Sequence, residues 1–299
     1  MLSDGRIASS SDDRTLRIWD PNAGECLRTL IGHGNKVDYL AALPDRRIVT
    51  GSRDGTIRIL NPDTGECLRT LKANSYLIRC LAVLPNGNIT SDSFDGIRIW
   101  NPDTGECLRA LENHVSYLTT LPDGSIVGDS FDGIRIIDPN TGECLRTLKT
   151  QTSLASIAAL SDGRIVGGSN NGTLHIWNTD TEKCLRKLEG HTGSVKCLAI
   201  LRDDRIVSQS DDNTLRIWDP NTGECLDVLE ATEVDVSHMH LSNAIMDDDT
   251  IRILYQNMAK DHEEFAKMYG DIHDKRSASS FRKFLFHIFG LDRPTGSRT

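Results

Sequence analysis

Thr15-Leu16-Arg17-Ile18-Trp19-Asp20-Pro21, followed by Gly24-Glu25-Cys26-Leu27-Arg28-Thr29-Leu30, is the stretch that decides how this chain is built. It returns along the sequence. The residues at the Trp19 position are Trp19, Leu60, Trp100, Ile137, Trp177, Trp218 and Leu254. The steps between them are 41, 40, 37, 40, 41 and 36 residues. A fixed period of this length marks an array of small units that bury their apolar faces only against one another.

Each unit reads as four short strands. In the second, Val37 to Leu43 ends at the turn signal Pro44-Asp45, and Arg47 to Ser52 follows. Arg53-Asp54-Gly55 is a tight turn, because Asp-Gly tolerates positive φ. Thr56-Ile57-Arg58-Ile59-Leu60 alternates strictly and predicts a third strand. Asn61-Pro62-Asp63-Thr64-Gly65 turns again, and Glu66 to Leu71 makes the fourth. Short strands at even spacing, punctuated by Gly, Pro and Asp, predict an all-β array.

With these motifs the chain resembles the WD-repeat (WD40) family of β-propellers over about residues 3 to 254. The resemblance implies four-stranded blades round a central channel. It also implies a hydrogen-bonded set in each blade: a His before the first strand, Ser or Thr in the second, Asp in the turn and Trp in the third. The sixth repeat has the whole set, His191, Ser208, Asp212 and Trp218. The first has Ser9, Asp13 and Trp19, the second His33, Thr50 and Asp54, and the third Ser91, Asp95 and Trp100. The fourth keeps His114 and Asp132 but has Gly128 and Ile137, and the fifth keeps Trp177 beside Gly167 and Asn171. Several blades are therefore expected to rely on apolar packing alone. The expected architecture is a propeller of about seven blades over residues 1–254, the terminal blades incomplete, with a helical C-terminal extension over 255–299.

The tail differs in kind. Five of the seven Phe lie there, and Phe281, Phe284, Leu285 and Ile288 share one face at helical spacing. Three readings stay open: a helix packed on the propeller's edge, a partner- or membrane-surface helix from Phe281 to Leu291, and a closing strand over Phe284-Leu285-Phe286-His287-Ile288.

A net charge of -9 disfavours binding to a phosphate backbone, so no nucleic-acid partner is expected. No apolar run is long enough to span a bilayer and the N-terminus lacks a signal pattern, which points to a cytoplasmic protein. Six of the eight Cys hold one repeat position: Cys26, Cys67, Cys107, Cys144, Cys184 and Cys225. Adjacent sheets lie about 10 Å apart and a disulfide needs Cα atoms within about 7 Å. These are therefore read as buried, reduced thiols.

No catalytic constellation stands out, and no cofactor is expected. His238 and His240 share a strand face and, with Asp235 or Asp247, could hold a metal; surface histidines are the plainer reading. The third-strand arginines Arg17, Arg58, Arg98, Arg135, Arg216 and Arg252, with His175, are expected to pair with turn acids between blades. The sharper signal is the residue before each turn acid: Asp12, Arg53, Phe94, Phe131, Asn170 and Asp211. Arg53, Phe94 and Phe131 fall on consecutive blades, and an aromatic at a wet turn tip is poorly placed unless a partner covers it. The expectation is a non-enzymatic scaffold or adaptor that presents these turns to protein partners. The alternatives are a metal-dependent propeller hydrolase or isomerase, and a peripheral membrane or assembly factor acting through the tail.

Overall fold

The computed structural model describes residues 2, 4, 6–10, 14–20, 25–73, 77–201 and 203–230. The seventh motif around Leu254, the residues of the 255–299 extension and the His238, His240 and Asp247 group all lie outside the described residues.

Among the described residues, six antiparallel sheets follow one another along the chain. The first has three strands: β1 (Ile7–Ser10), β2 (Thr15–Asp20) and β3 (Glu25–Ile31). The others have four. Sheet two is β4 (Val37–Ala42), β5 (Ile48–Ser52), β6 (Thr56–Leu60) and β7 (Cys67–Lys72). Sheet three is β8 (Cys80–Val83), β9 (Ile89–Ser93), β10 (Gly96–Trp100) and β11 (Cys107–Leu111). Sheet four is β12 (Leu118–Thr120), β13 (Ile126–Ser130), β14 (Gly133–Ile137) and β15 (Cys144–Leu148). Sheet five is β16 (Leu154–Ala159), β17 (Ile165–Ser169), β18 (Leu174–Trp177) and β19 (Cys184–Leu188). Sheet six is β20 (Val195–Ile200), β21 (Ile206–Ser210), β22 (Thr214–Trp218) and β23 (Cys225–Glu230). The described residues contain no helix.

Each sheet is a plain meander whose first strand touches the first strand of its neighbour: β4 meets β8, β8 meets β12, β12 meets β16, and β16 meets β20. The sheets thus stack as propeller blades, first strands inward and fourth strands outward. The core lies between the blades. Val49, Ile57, Ile59 and Leu71 of the second pack against Ile78, Leu81, Ile89 and Trp100 of the third. The third strand supplies most of this layer because its alternation puts Ile57 and Ile59 inside while Arg58 stays half-buried. Each such Ile contributes about 2 kcal/mol of burial.

The cysteine expectation is wrong in its burial. Cys26, Cys67, Cys107, Cys144 and Cys184 are exposed, and Cys225 is half-buried. They sit at the start of the outermost strand, opposite a register shift at the Trp position. There the thiol reaches the carbonyl two residues on, as in Cys26 to Arg28 at 3.3 Å and Cys107 to Arg109 at 3.2 Å. The residue serves the bulge rather than the core. None of the eight cysteines is in a disulfide.

Candidate functional site

The turn between the second and third strands faces one end of the stack, and its length sorts the blades. In sheet two, Arg53, Asp54 and Gly55 carry the chain from Ser52 to Thr56. In sheets three and four the Thr is missing, and Ser93 pairs directly with Gly96 as Ser130 does with Gly133. This leaves two-residue hairpins, Phe94-Asp95 and Phe131-Asp132. Only Gly fits the closing position. Gly96 has φ +97° and Gly133 +131°, and an added Cβ would run into the carbonyl oxygens of Leu111 and Leu148.

The long turns complete a network. In sheet six, Trp218 Nε1–H donates to Ser208 Oγ at 2.8 Å. Ser208 Oγ lies 2.7 Å from His191 Nε2, and His191 Nδ1 is 2.9 Å from Asp212 Oδ2. Thr214 donates to Asp212 Oδ1 at 2.7 Å, and the Thr192 N–H donates to Oδ2 at 2.9 Å. Burial pushes the Asp212 carboxyl up, but the bonds from Thr214, Thr192 and His191 outweigh it and hold it at about 2. His191 is held below the ordinary imidazole value, chiefly by burial. Sheet two repeats the arrangement without Trp: His33 contacts Thr50 at 2.8 Å and Asp54 at 3.1 Å, with Asp54 also held at about 2. Trp19 to Ser9 at 2.8 Å and Trp100 to Ser91 at 2.9 Å are the described parts in sheets one and three. Asp13 lies outside the described residues.

In sheet four the set does not form. His114 is exposed and Val115 fills the space that a Gly128 side chain would need. The connection to the second strand is three residues shorter here, 14 from His114 to Gly128 against 17 from His191 to Ser208. Asp132 turns to Arg135 instead, at 2.8 Å, and Asp95 turns to Arg98 at 3.7 Å. In sheet five Trp177 and Leu154 occupy the space beside Gly167. These two blades do rest on apolar packing. The arginine stripe is mixed: Arg98 and Arg135 pair with turn acids, while Arg17 and Arg216 lie about 6 Å from the rings of Trp19 and Trp218.

The residues before the turn acids now have places. Arg53 bonds Asp38 at 2.8 Å, Asp211 pairs with Lys196 at 3.2 Å, and Asn170 bonds Ser153 and Ser194. Asp12 lies outside the described residues. Phe94 is 62% exposed, with the Arg79 guanidinium 5.2 Å from its ring centre, and Phe131 is fully exposed. Neither ring folds back onto its blade, because both side chains of a two-residue loop project outward.

The profile of the WD40 family, described as "WD domain, G-beta repeat", matches residues 2–20, 24–61, 142–178 and 182–219. The chain belongs to the WD-repeat family. Among curated relatives it is 53% identical over 38 residues to "Nuclear distribution protein PAC1" of Mycosarcoma maydis, covering 13% of this chain and 8% of that protein. It is 56% identical over 32 residues to "F-box/WD repeat-containing protein 7" of Drosophila melanogaster, covering 11% of this chain and 2% of that protein. The chain thus aligns with under a tenth of either relative's length.

The matched WD repeats leave out residues 62–141, which hold the third blade and the first three strands of the fourth. Sequence reasoning missed a further feature of these two blades. Asp92 in β9 and Asp129 in β13 stand where sheets two and five have Gly51 and Gly168. Asp92 is buried, bonded by Arg79 at 2.7 Å, with His114 nearby. Burial pushes both carboxyls up to about 6. An Asp at that register was visible in the sequence, but its burial follows from the neighbouring blade. Cys80 is also buried here, its thiol pushed up by burial to about 12, so it is no nucleophile at neutral pH. Among the described residues no group of three or more His, Cys, Asp and Glu converges as a metal site, and no helix is long and apolar enough to cross a membrane.

Proposed function

We propose that this WD-repeat protein is a non-enzymatic binding platform that holds protein partners on the turns of blades two to four. The observation that carries the reading is the pair of aromatic rings at neighbouring turn tips, Phe94 half out and Phe131 wholly out in water. Arg79 stacks on the first, and Arg53 stands on the preceding blade. An aromatic and arginine cluster on a rigid face is the composition of an interface hot spot. Short hairpins closed by Gly96 and Gly133 fix the backbone beneath the rings, so little backbone freedom is lost on binding.

Affinity capture with the wild-type chain and with a Phe94→Asp, Phe131→Asp variant of equal thermal stability tests it. The expected result is a set of proteins lost from the variant, the strongest of which binds the purified wild type at least tenfold more tightly. Identical sets on both baits would remove the turn face from the function.

A further inference from the structure

At the opposite end of the stack, the turn after a blade's first strand carries Asp-x-Arg. The pairs are Asp4 and Arg6, Asp45 and Arg47, Asp162 and Arg164, Asp203 and Arg205. In each, the arginine Nε donates to the aspartate, at 3.0, 2.6, 2.7 and 2.7 Å. Three of these guanidinium groups cross to the next sheet. Arg6 reaches Asp63 at 2.5 Å. Arg47 reaches Asp103 at 2.5 Å and the Pro102 carbonyl at 3.4 Å. Arg164 reaches Asn221 at 3.0 Å and the Pro220 carbonyl at 3.2 Å. An arginine slot between adjacent blades is therefore built repeatedly, from a proline carbonyl and the side-chain oxygen of the residue after it.

Between sheets three and four the receiving half is present and the arginine is not. Pro139-Asn140 stands where Pro102-Asp103 and Pro220-Asn221 stand. The donor position is Asn88. Its N–H keeps the turn by bonding Asn86 Oδ1 at 3.0 Å, but its short amide makes no bond to Pro139 or Asn140. What remains is an open groove of about 210 Å³. Leu84, Pro85, Ile99 and Leu108 make its apolar wall. Asp123 faces the same groove. Its own blade has Ser125 in place of the usual arginine, so among the described residues it is the turn aspartate of this set without a guanidinium. Arg109 lines the groove from the other side.

At the next junction, between sheets four and five, the receiving proline is itself replaced, by Thr179, which bonds the Gly163 carbonyl at 3.2 Å. The acceptor carboxylate there, Asp180, already has Arg146 at 3.8 Å, whereas among the described residues no arginine is bonded to Pro139 or Asn140.

We propose that this groove binds an arginine side chain of a partner polypeptide. The chain shows twice which group such a pair of acceptors takes, at Arg47 and Arg164, and once more for the side-chain oxygen alone, at Arg6. The apolar wall suits the aliphatic stem, and Asp123 supplies the charge that Asp45 and Asp162 supply elsewhere and offsets the cost of Arg109 beside it. Arginine is favoured over lysine, because Nη1 and Nη2 engage separate acceptors and an ammonium cannot span both. The overall charge of -9 favours approach of a basic segment. The site lies at the other end of the blades from Phe94 and Phe131 and does not depend on the function proposed for them.

Nα-acetyl-arginine amide titrated into the isotope-labelled full chain tests the proposal. The expected result is saturable shifts in the backbone amides of 84, 86–88, 123–124 and 140. Nα-acetyl-lysine amide binds at least tenfold more weakly. Asn88→Arg, which supplies the missing side chain in cis, abolishes binding and leaves the melting temperature equal or higher. Asn140→Ala, at an exposed position, weakens binding several-fold and decides the matter if Asn88→Arg folds poorly. Absence of saturable shifts, equal response to lysine, or unchanged binding in Asn140→Ala would overturn the assignment.

Discussion

Blades two and six and blades three and four share a period, a strand order and an interblade core, yet they are held in different ways. In two and six a buried His, a hydroxyl and a turn carboxylate lock the start of the blade to its middle. In three and four the missing turn Thr tightens the hairpin, sends the turn acid to a third-strand arginine, and leaves a Phe in water. The first pair puts its polar residues into the fold. The second releases turn tips for contact and carries a buried carboxylate at Asp92 and a half-buried one at Asp129. The difference teaches that one deleted residue in a repeat can redirect a structural carboxylate and expose an aromatic without disturbing strand pairing.

The comparison breaks first at the turn acids. Asp212→Ala strips a buried His and two Thr of their acceptor and is expected to cost about 3–4 kcal/mol in urea unfolding. Asp132→Ala, at the same repeat position but exposed, is expected to leave the urea midpoint close to that of the wild type. Equal losses would mean that the two turn types are held alike. Gly133→Ala is expected to cost about 2–4 kcal/mol, because φ and the Leu148 carbonyl both oppose a side chain. The control is Gly124→Ala, which meets no atom within 4 Å and carries only the conformational cost of its φ of +93°, about 1 kcal/mol.

The two regions also answer pH with opposite sign. Asp54 and Asp212 have folded pKa values lowered to about 2. Their contribution is complete above the unfolded value, near 4, and is lost as pH falls towards 2. Lowered values at His33 and His191 add to the loss on acidification, because the unfolded chain takes up the proton first. Asp92 has its value raised to about 6. The native state then binds a proton that the unfolded chain releases, so stability falls as pH rises from about 4 through 6. Measured against Asp92→Asn, wild-type stability should drop by about 2–3 kcal/mol between pH 4 and 7. A flat difference would show that Arg79 and His114 fully offset the burial.

The smallest effect is expected at the face itself. Phe94→Asp with Phe131→Asp should change unfolding free energy by less than about 1 kcal/mol, because neither ring is packed into the core. A larger loss by the same urea titration would make the rings structural.

The repeat of Trp19 and its equivalents, the Asp-Gly turns and the alternation of Thr56 to Leu60 determined the strand order and the blade. These are local properties: period two on a strand, positive φ at Gly, and a recurring unit too small to bury itself. The complete tetrad in the sixth repeat was legible for the same reason, since its members sit at fixed offsets. Tertiary structure decided what depends on the neighbouring blade. The sequence offered His114 as a tetrad member, but a connection three residues shorter put Val115 there instead. It suggested buried cysteines, and the outer edge left most of them wet. Asp92 and Asp129 read as ordinary acids until the adjacent sheet covered them. The empty arginine slot at Asn88 could be seen only once Arg47 and Arg164 were found crossing to the next blade, because a contact between units is not written within either one.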